Sequence, residues 1–142
     1  MQISSRFTIA LHILAAIETF DGQYRVTSDF LASSVQVNPV VIRNILLQLK
    51  AAGIVKVTRG RGSISLLKKT QEVNLLDVYR AIEPLESDKL FNFHKNPNPL
   101  CPVGKNIHKV LDNRLLAVQK AMEDRLQSMY LSDVLQDLQK LL

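Results

Sequence analysis

The apolar residues between Asn38 and Gly53 recur with the spacing of one face of an α-helix. The stripe, spaced i, i+3, i+4 and i+7, consists of Ile42, Ile45, Leu46 and Leu49. Asn38 followed by Pro39 predicts the start of the helix, because Asn caps free N–H groups and Pro tolerates the first helical position. Gly53 predicts its end, because Gly adopts the left-handed conformation readily. The opposite face carries no acid, and we interpret it as a surface for a partner. That face consists of Val40, Arg43, Asn44, Leu47 and Gln48.

A shorter helix is predicted immediately before this one. Thr27 or Ser28 can cap it, and Asp29 suits the positive end of its dipole. Its buried face would be Phe30, Leu31 and Val35. A short helix, a tight turn at Gln36 and a longer capped helix form a helix-turn-helix pattern. Because this turn often contains Gly, Gln36 is expected to adopt a positive φ at some energetic cost.

Two segments after Gly53 alternate apolar and polar side chains, as β-strands do. They are Ile54–Arg59 and Ser63–Lys68, and Gly60-Arg61-Gly62 between them predicts a hairpin turn. A basic hairpin directly after a helix-turn-helix is typical of a wing, whose Arg59 and Arg61 could reach phosphates or a minor groove. Alone, the tip would be an ordinary solvated turn, so the wing interpretation depends on the preceding helices.

Helical patterning also surrounds this region. Ser4 can cap a first helix that ends near Asp21-Gly22, Asn74 can cap a short helix that stops at Glu83-Pro84, and Ser132 can cap a last helix. Between them, residues from about 85 to 100 are predicted to form a loop. The longest apolar stripe follows Cys101-Pro102 and approaches a heptad seam, for which we favour packing on a second subunit. Its residues are Ile107, Leu111, Leu115, Val118, Met122, Leu126 and Met129.

Composition indicates a globular chain with an uneven charge. The 142 residues are 46% hydrophobic, their apolar runs are shorter than the roughly 20 residues of a membrane span, and the N-terminus lacks a secretory pattern, so we expect a cytoplasmic protein. Residues 30–71 contain seven Lys or Arg and no acid; since the net charge is +5, the rest of the chain sums to −2. This concentration favours a polyanion such as nucleic acid as partner, although a basic solvated face is the alternative.

Taken together, several segments closely resemble the Rrf2 family of bacterial transcription regulators, over nearly the whole chain. They are residues 3–7, residues 41–46 continuing to 52–55, the wing Arg59-Gly60, and residues 73–78. The resemblance implies a mainly α fold: a winged helix-turn-helix, with a three-helix core and a two-stranded wing, joined to a long C-terminal dimerisation helix. It places the DNA-binding domain at residues 1–83, a loop that is the sensor region of relatives at 84–100, and the dimerisation and last helices at 101–142.

The function implied is that of a homodimeric, sequence-specific DNA-binding regulator, expected to be a repressor of a palindromic operator. The residues expected to read base edges are Val40, Arg43 and Asn44. Those expected to contact the DNA backbone, directly or through the wing, are Ser5, Arg6, Lys50, Lys56, Arg59 and Arg61. Dimerisation is assigned to the α-helical stripe from Ile107 to Leu126.

Two departures from the family pattern limit what can be carried over. Cluster-binding members place three cysteines before the long helix, whereas this chain has only Cys101, with Lys89 and Lys95 about where the others would fall. An iron–sulfur cluster is therefore not expected, and neither is another cofactor. The wing sequence Gly60-Arg61-Gly62-Ser63-Ile64 is also shorter and more basic than the family's glycine run followed by Tyr, so its groove contact can differ.

Other functions have less support in the sequence. His94, Cys101 and His108 are spaced seven apart and would need a folded-back loop to bind zinc or copper, while Cys101 could instead be a redox thiol or an unreactive one. A small-molecule or redox effector is thus left open. A winged-helix module that binds protein instead of DNA is the alternative function. No paired carboxylates, phosphate loop or nucleophile–base spacing suggests an enzyme.

Overall fold

The computed structural model describes residues 3–58, 60, 62–83 and 89–142. In these ranges six α-helices, one 3₁₀ helix and one two-stranded sheet follow one another. They are α1 (Ser5–Phe20), α2 (Ser28–Val35), α3 (Pro39–Ala51), β1 (Val55–Thr58), β2 (Ser63–Leu66), the 3₁₀ helix Thr70–Glu72, α4 (Leu75–Ile82), α5 (Pro102–Gln127) and α6 (Leu131–Gln139). The predicted fold class is confirmed: a mainly helical chain with a winged helix-turn-helix and one long C-terminal helix.

Four helices begin where the sequence predicted a capping side chain. Ser4, Thr27, Asn38 and Asn74 each accept a hydrogen bond from a free N–H of the first turn. The last helix differs, because α6 begins at Leu131 with Tyr130 as its cap, not after Ser132. The Asp133 carboxylate accepts the Tyr130 N–H at 2.9 Å, and the Leu131 N–H donates to the Val73 carbonyl at 2.8 Å. A contact with a distant segment therefore determines this start.

One hydrophobic core joins the N-terminal helices, the hairpin and the last helix. Fully buried residues include Ile13 and Leu14 of α1, Ile45 and Leu49 of α3, and Leu131 of α6. Helix α6 thus packs against α1 and the 3₁₀ helix, although it follows α5 in the region 101–142, which was predicted to contain the dimerisation helix and the last helix. The boundaries between the three predicted regions remain a prediction.

The wing is an antiparallel hairpin held against the core. Val55 pairs with Leu66 and Thr58 with Ser63, so both strands are slightly shorter than predicted. The Ile64 N–H donates to the Val26 carbonyl at 2.8 Å and attaches β2 to the segment before α2. Arg59 and Arg61, the predicted tip contacts, lie outside the described residues.

Helix α5 is the longest element, with 26 residues, and the least buried. Gln119 is its one buried residue, and its side-chain oxygen accepts the Leu90 N–H at 2.7 Å. Phe93 stacks on His108 with ring centroids 4.8 Å apart, so residues of the loop after position 88 lie along one face of α5. In the part of the chain that the structure describes, no single helix is long and apolar enough to cross a bilayer.

Candidate nucleic-acid interface

Helix α3 is held at a defined angle at one side of the N-terminal module. The chain bends by 115° between α2 and α3, within the usual range for a helix-turn-helix. Gln36 makes the turn in the left-handed conformation, with φ 61° and ψ 50°, as predicted for a non-glycine residue there. At the other end, Gly53 has φ 74°, and the Ile54 N–H donates to the Leu49 carbonyl at 3.0 Å, which closes the helix with a Schellman motif.

The two faces of α3 differ sharply in burial and chemistry. Its inward residues Ile42, Ile45 and Leu49 are fully buried. On the outward face Arg43 and Asn44 are exposed, Val40 retains 52% of its accessible surface and Leu47 retains 64%. No acidic side chain occurs on the helix. This face therefore offers a donor group, an amide and two apolar groups without a carboxylate to repel phosphate.

Gln48 was predicted to lie on the outward face of α3, but its contact with α1 was not predicted. It is only half-exposed, and its side-chain oxygen accepts a hydrogen bond from the Arg6 guanidinium. Glu83 accepts hydrogen bonds from the backbone N–H, at 3.2 Å, and from the hydroxyl of Ser4. The start of α1 is thereby tied to both α3 and the end of α4. Arg6, predicted to contact the DNA backbone, is held beside the outward face of α3, and Ser5 next to it is exposed.

Among the described residues of the N-terminal module, Arg80 on α4 is the only basic residue with an acidic partner. The ion pairs found there are Arg80–Glu123, Lys89–Asp112 and Lys120–Asp124, each 3.2 Å long. They all lie on α4, α5 or the loop before α5. Lys50 and Lys56, predicted to contact phosphates, are exposed and take part in none of them. Their charge is consequently available to an external polyanion.

The predicted seam on α5 is only partly covered by its own chain. Ile107, Leu111, Leu115, Met122 and Leu126 are half-buried, whereas Val118 retains 54% of its surface. Two further valines, Val103 and Val110, retain 68% and 57%. These two valines were not among the residues predicted for the seam, although they are seven residues apart, which is the repeat of a helical seam. The exposed apolar surface thus extends towards the start of α5.

Cys101 and the two predicted histidines lie around the same end of α5. Cys101 is at the N-cap position, where the backbone N–H groups of Gly104 and then Val103 lower the pKa of its thiol. Gly104 is required by close packing, because a Cβ there would lie 2.7 Å from the Asn98 carbonyl oxygen. The rings of His94 and His108 meet edge to face, with centroids 5.0 Å apart, and the Nε2 atom of His108 is buried without a hydrogen-bond partner in the described structure.

This end of α5 does not have the composition of a family cluster site. The chain contains one cysteine, so three thiolate ligands cannot come from one subunit. Among the described residues, no group of three or more His, Cys, Asp or Glu is arranged to hold a metal ion. The fold therefore brings the rings of His94 and His108 together, but these two and Cys101 do not form a three-ligand metal site in the described residues.

Comparison with known proteins identifies relatives along nearly the whole chain. The Rrf2 family model, described as an iron-dependent transcriptional regulator, matches residues 3–137. YwnA of Bacillus subtilis (strain 168), named provisionally as an HTH-type transcriptional regulator, is 42% identical over 136 residues, which are 96% of this chain and 98% of YwnA.

Solved structures agree with this relationship. A crystal structure named provisionally as a DNA binding protein is 40% identical, with a TM-score of 0.75 over 92% of this chain and 98% of that chain. T. potens IscR has a TM-score of 0.68 at 22% identity, over 97% of this chain and 88% of its own, which supports the fold alone. The names of these relatives describe regulators and DNA binding, not enzymes.

Proposed function

Because the chain belongs to the Rrf2 family of transcription regulators, we propose that it binds a palindromic DNA operator as a homodimer and represses transcription. The observation that carries this proposal is the outward face of α3, which is acid-free, exposed and mounted on a fully buried inner face. A helix of this kind fits the major groove, where an arginine suits guanine and an asparagine suits adenine. Such a function requires access to chromosomal DNA and hence a cytoplasmic location.

The roles within the interface follow from position and charge. Val40, Arg43 and Asn44 project from the first two turns of α3 and are assigned to base edges. Contacts to phosphate, which fix register without reading sequence, are assigned to a second set. This set is Ser5, Arg6, Lys50, Lys56, Arg59 and Arg61. Arg59 and Arg61, at the tip of the wing, are assigned to this set from the sequence alone, since they lie outside the described residues.

The homodimer is proposed to form along α5. Helix α5 buries only one residue in its own chain. Its exposed apolar side chains include Val103, Val110 and Val118, and a second α5 would cover this surface. Pairing of two such helices would give the two reading helices the two-fold symmetry that a palindromic site needs. The half-buried residues Ile107, Leu111, Leu115, Met122 and Leu126 would flank this contact.

Regulation is proposed to work without the three-cysteine cluster of other family members. This proposal is supported by the presence of one cysteine per chain, although the family model is described as an iron-dependent transcriptional regulator. Cys101 is the candidate for a redox or effector response, because its thiol has a lowered pKa and is partly exposed. Operator binding that is unaffected by a chelator but weakened by peroxide would support this assignment, and insensitivity to both would remove it.

Selection of bound duplexes from a random DNA pool tests the central proposal. We expect one recovered motif with two inverted half-sites about one helical turn apart, since both α3 helices would enter successive major grooves. Binding should also weaken steeply between two salt concentrations. If the chain instead binds protein through α3, no motif will be recovered, and random duplex DNA will bind with little salt dependence.

A further inference from the structure

The outward face of α3 ends in an apolar side chain, Leu47, which does not belong to the set proposed to read base edges. Leu47 is 64% exposed, more than Val40, although Ile45 and Leu46 beside it are buried. A single exposed leucine is ordinary on a protein surface. Here, however, Leu47 continues the line formed by Val40, Arg43 and Asn44, at the spacing i, i+3, i+4 and i+7. The four side chains therefore form one narrow stripe along α3.

The length of this stripe matches a short run of base pairs. Seven residues of α-helix rise about 10 Å, which is about three steps of 3.4 Å along a DNA strand. Homeodomain reading helices use four residues with this same spacing in the major groove, and the third of them is an asparagine that binds adenine. In α3 the third position is Asn44. Leu47 would consequently lie at the base pair on one end of the run and Val40 at the other.

The chemistry of the two ends restricts which bases they can favour. In the major groove the C5-methyl group of thymine is the apolar feature of a base edge, and aliphatic side chains contact it. Reading a cytosine amino group takes an Asp or Glu acceptor, and α3 has no acidic residue. Gln48, the next polar side chain along the helix, is already bonded to Arg6. An aliphatic contact is therefore what Leu47 can offer.

We propose that Leu47 is a specificity-determining residue that contacts a thymine methyl group, and that Val40 makes the equivalent contact at the opposite end of the stripe. Arg43 and Asn44 then read guanine and adenine between two thymines. This inference rests on the proposed DNA-binding function and adds to it the base class at both ends of the half-site. It also predicts that a half-site lacking methyl groups is bound more weakly although every Watson–Crick pair is kept.

The test removes single methyl groups from the DNA. In the duplex recovered by selection, each thymine of the half-site is replaced in turn by deoxyuridine, which lacks only the C5-methyl, and the dissociation constant is measured at one salt concentration. Burying a methyl group contributes enough for about a fourfold change in affinity. We expect a loss of about this size at two positions, about three base pairs apart.

Variants of the protein assign each methyl group to a side chain. In Leu47→Ala, thymine and deoxyuridine should bind equally at one of the two positions while the other stays sensitive, and Val40→Ala should show the reverse. Leu67→Ala provides the matched control, because Leu67 is a similarly exposed leucine outside α3 and should keep both sensitivities. Thermal unfolding of each variant checks that these surface changes leave the fold intact.

The outcomes separate this inference from the proposed function. If the recovered duplex binds with full affinity whatever methyl groups are removed, the thymine contacts are absent although DNA binding stands. If Leu47→Ala keeps both sensitivities, another residue contacts the methyl group and the role of Leu47 is wrong. If no duplex of any sequence binds, the proposed function itself fails.

Discussion

Helices α3 and α5 each carry an apolar stripe, but they bury it differently. The 13-residue α3 buries four residues in the core of its own chain and presents an acid-free opposite face. The 26-residue α5 buries only Gln119, and its exposed apolar side chains include Val103, Val110 and Val118. The ion pairs of the described residues also lie on α4, α5 and the loop before α5, and none of them involves α3.

The same pattern of apolar residues in the sequence thus serves two purposes in the fold. In α3 the stripe anchors the helix, so the other face is free to meet a partner in a fixed orientation. In α5, part of the apolar stripe stays exposed, and a second subunit would be needed to cover it. We therefore attribute DNA reading to the polar face of one helix and self-association to the apolar face of the other.

The largest expected effect comes from weakening the anchor of α3. Leu49→Ala should lower the free energy of unfolding by about 2–5 kcal/mol, because Leu49 is fully buried and its removal leaves a cavity. Leu47→Ala, two residues away on the exposed face, should change the free energy of unfolding by no more than about 0.5 kcal/mol. Urea denaturation measures both, and equal losses would contradict the assignment of the two faces.

A second experiment targets the uncovered surface of α5. The double variant Val110→Lys with Val118→Lys should convert the proposed dimer to a monomer, because each lysine would place a charge in an apolar contact. Loss of the linked second half-site should then weaken operator binding by roughly 100-fold or more. Sedimentation and operator titration give the two results; as a control, Lys109→Ala on an exposed polar position of α5 should remain dimeric. A double variant that stays dimeric would place the interface elsewhere.

A smaller effect distinguishes base reading from phosphate binding on the same helix. Arg43→Ala should reduce discrimination at one base pair by about 1–3 kcal/mol, whereas Lys50→Ala should weaken binding to all sequences alike and lower the salt slope by about one. Titrations of operator and single-mismatch duplexes at several salt concentrations give both quantities. Uniform loss across sequences in both variants would remove the base-reading role of Arg43.

The smallest expected effect concerns the start of α5. Because the N–H groups of Gly104 and Val103 lower the pKa of Cys101 in the folded chain, the pH profile of its alkylation should have a lower midpoint than in the urea-unfolded chain. With the folded pKa below the unfolded value, the contribution to stability is present above the unfolded pKa and is lost as the pH falls through the folded pKa. Coincident midpoints would show that the helix start does not activate this thiol.

Much of the winged helix-turn-helix could be predicted, because the residues that begin and end its helices and strands act on neighbouring residues. Asn38 and Gly53 delimit α3 through hydrogen bonds to residues at most five positions away, and the alternating strands of the wing were placed to within two residues of their observed ends. Even the unusual left-handed Gln36 followed from the need for a tight turn. The candidate base-reading residues were predicted in the same way, from helical spacing on a capped segment.

The remaining features depend on contacts between distant residues, which spacing does not encode. Arg6 donates a hydrogen bond to Gln48, which is 42 positions away in the sequence. This bond engages the side-chain oxygen of one residue on the outward face of α3. Val73 fixes the start of α6 at Leu131, so Ser132 does not serve as the cap. Which apolar residues of α5 stay exposed also depends on where α4 and the preceding loop pack. The turns, the charge distribution and the caps of α1 to α4 are thus determined along the chain, whereas the start of α6 and the final shape of both surfaces are decided by how the helices pack together.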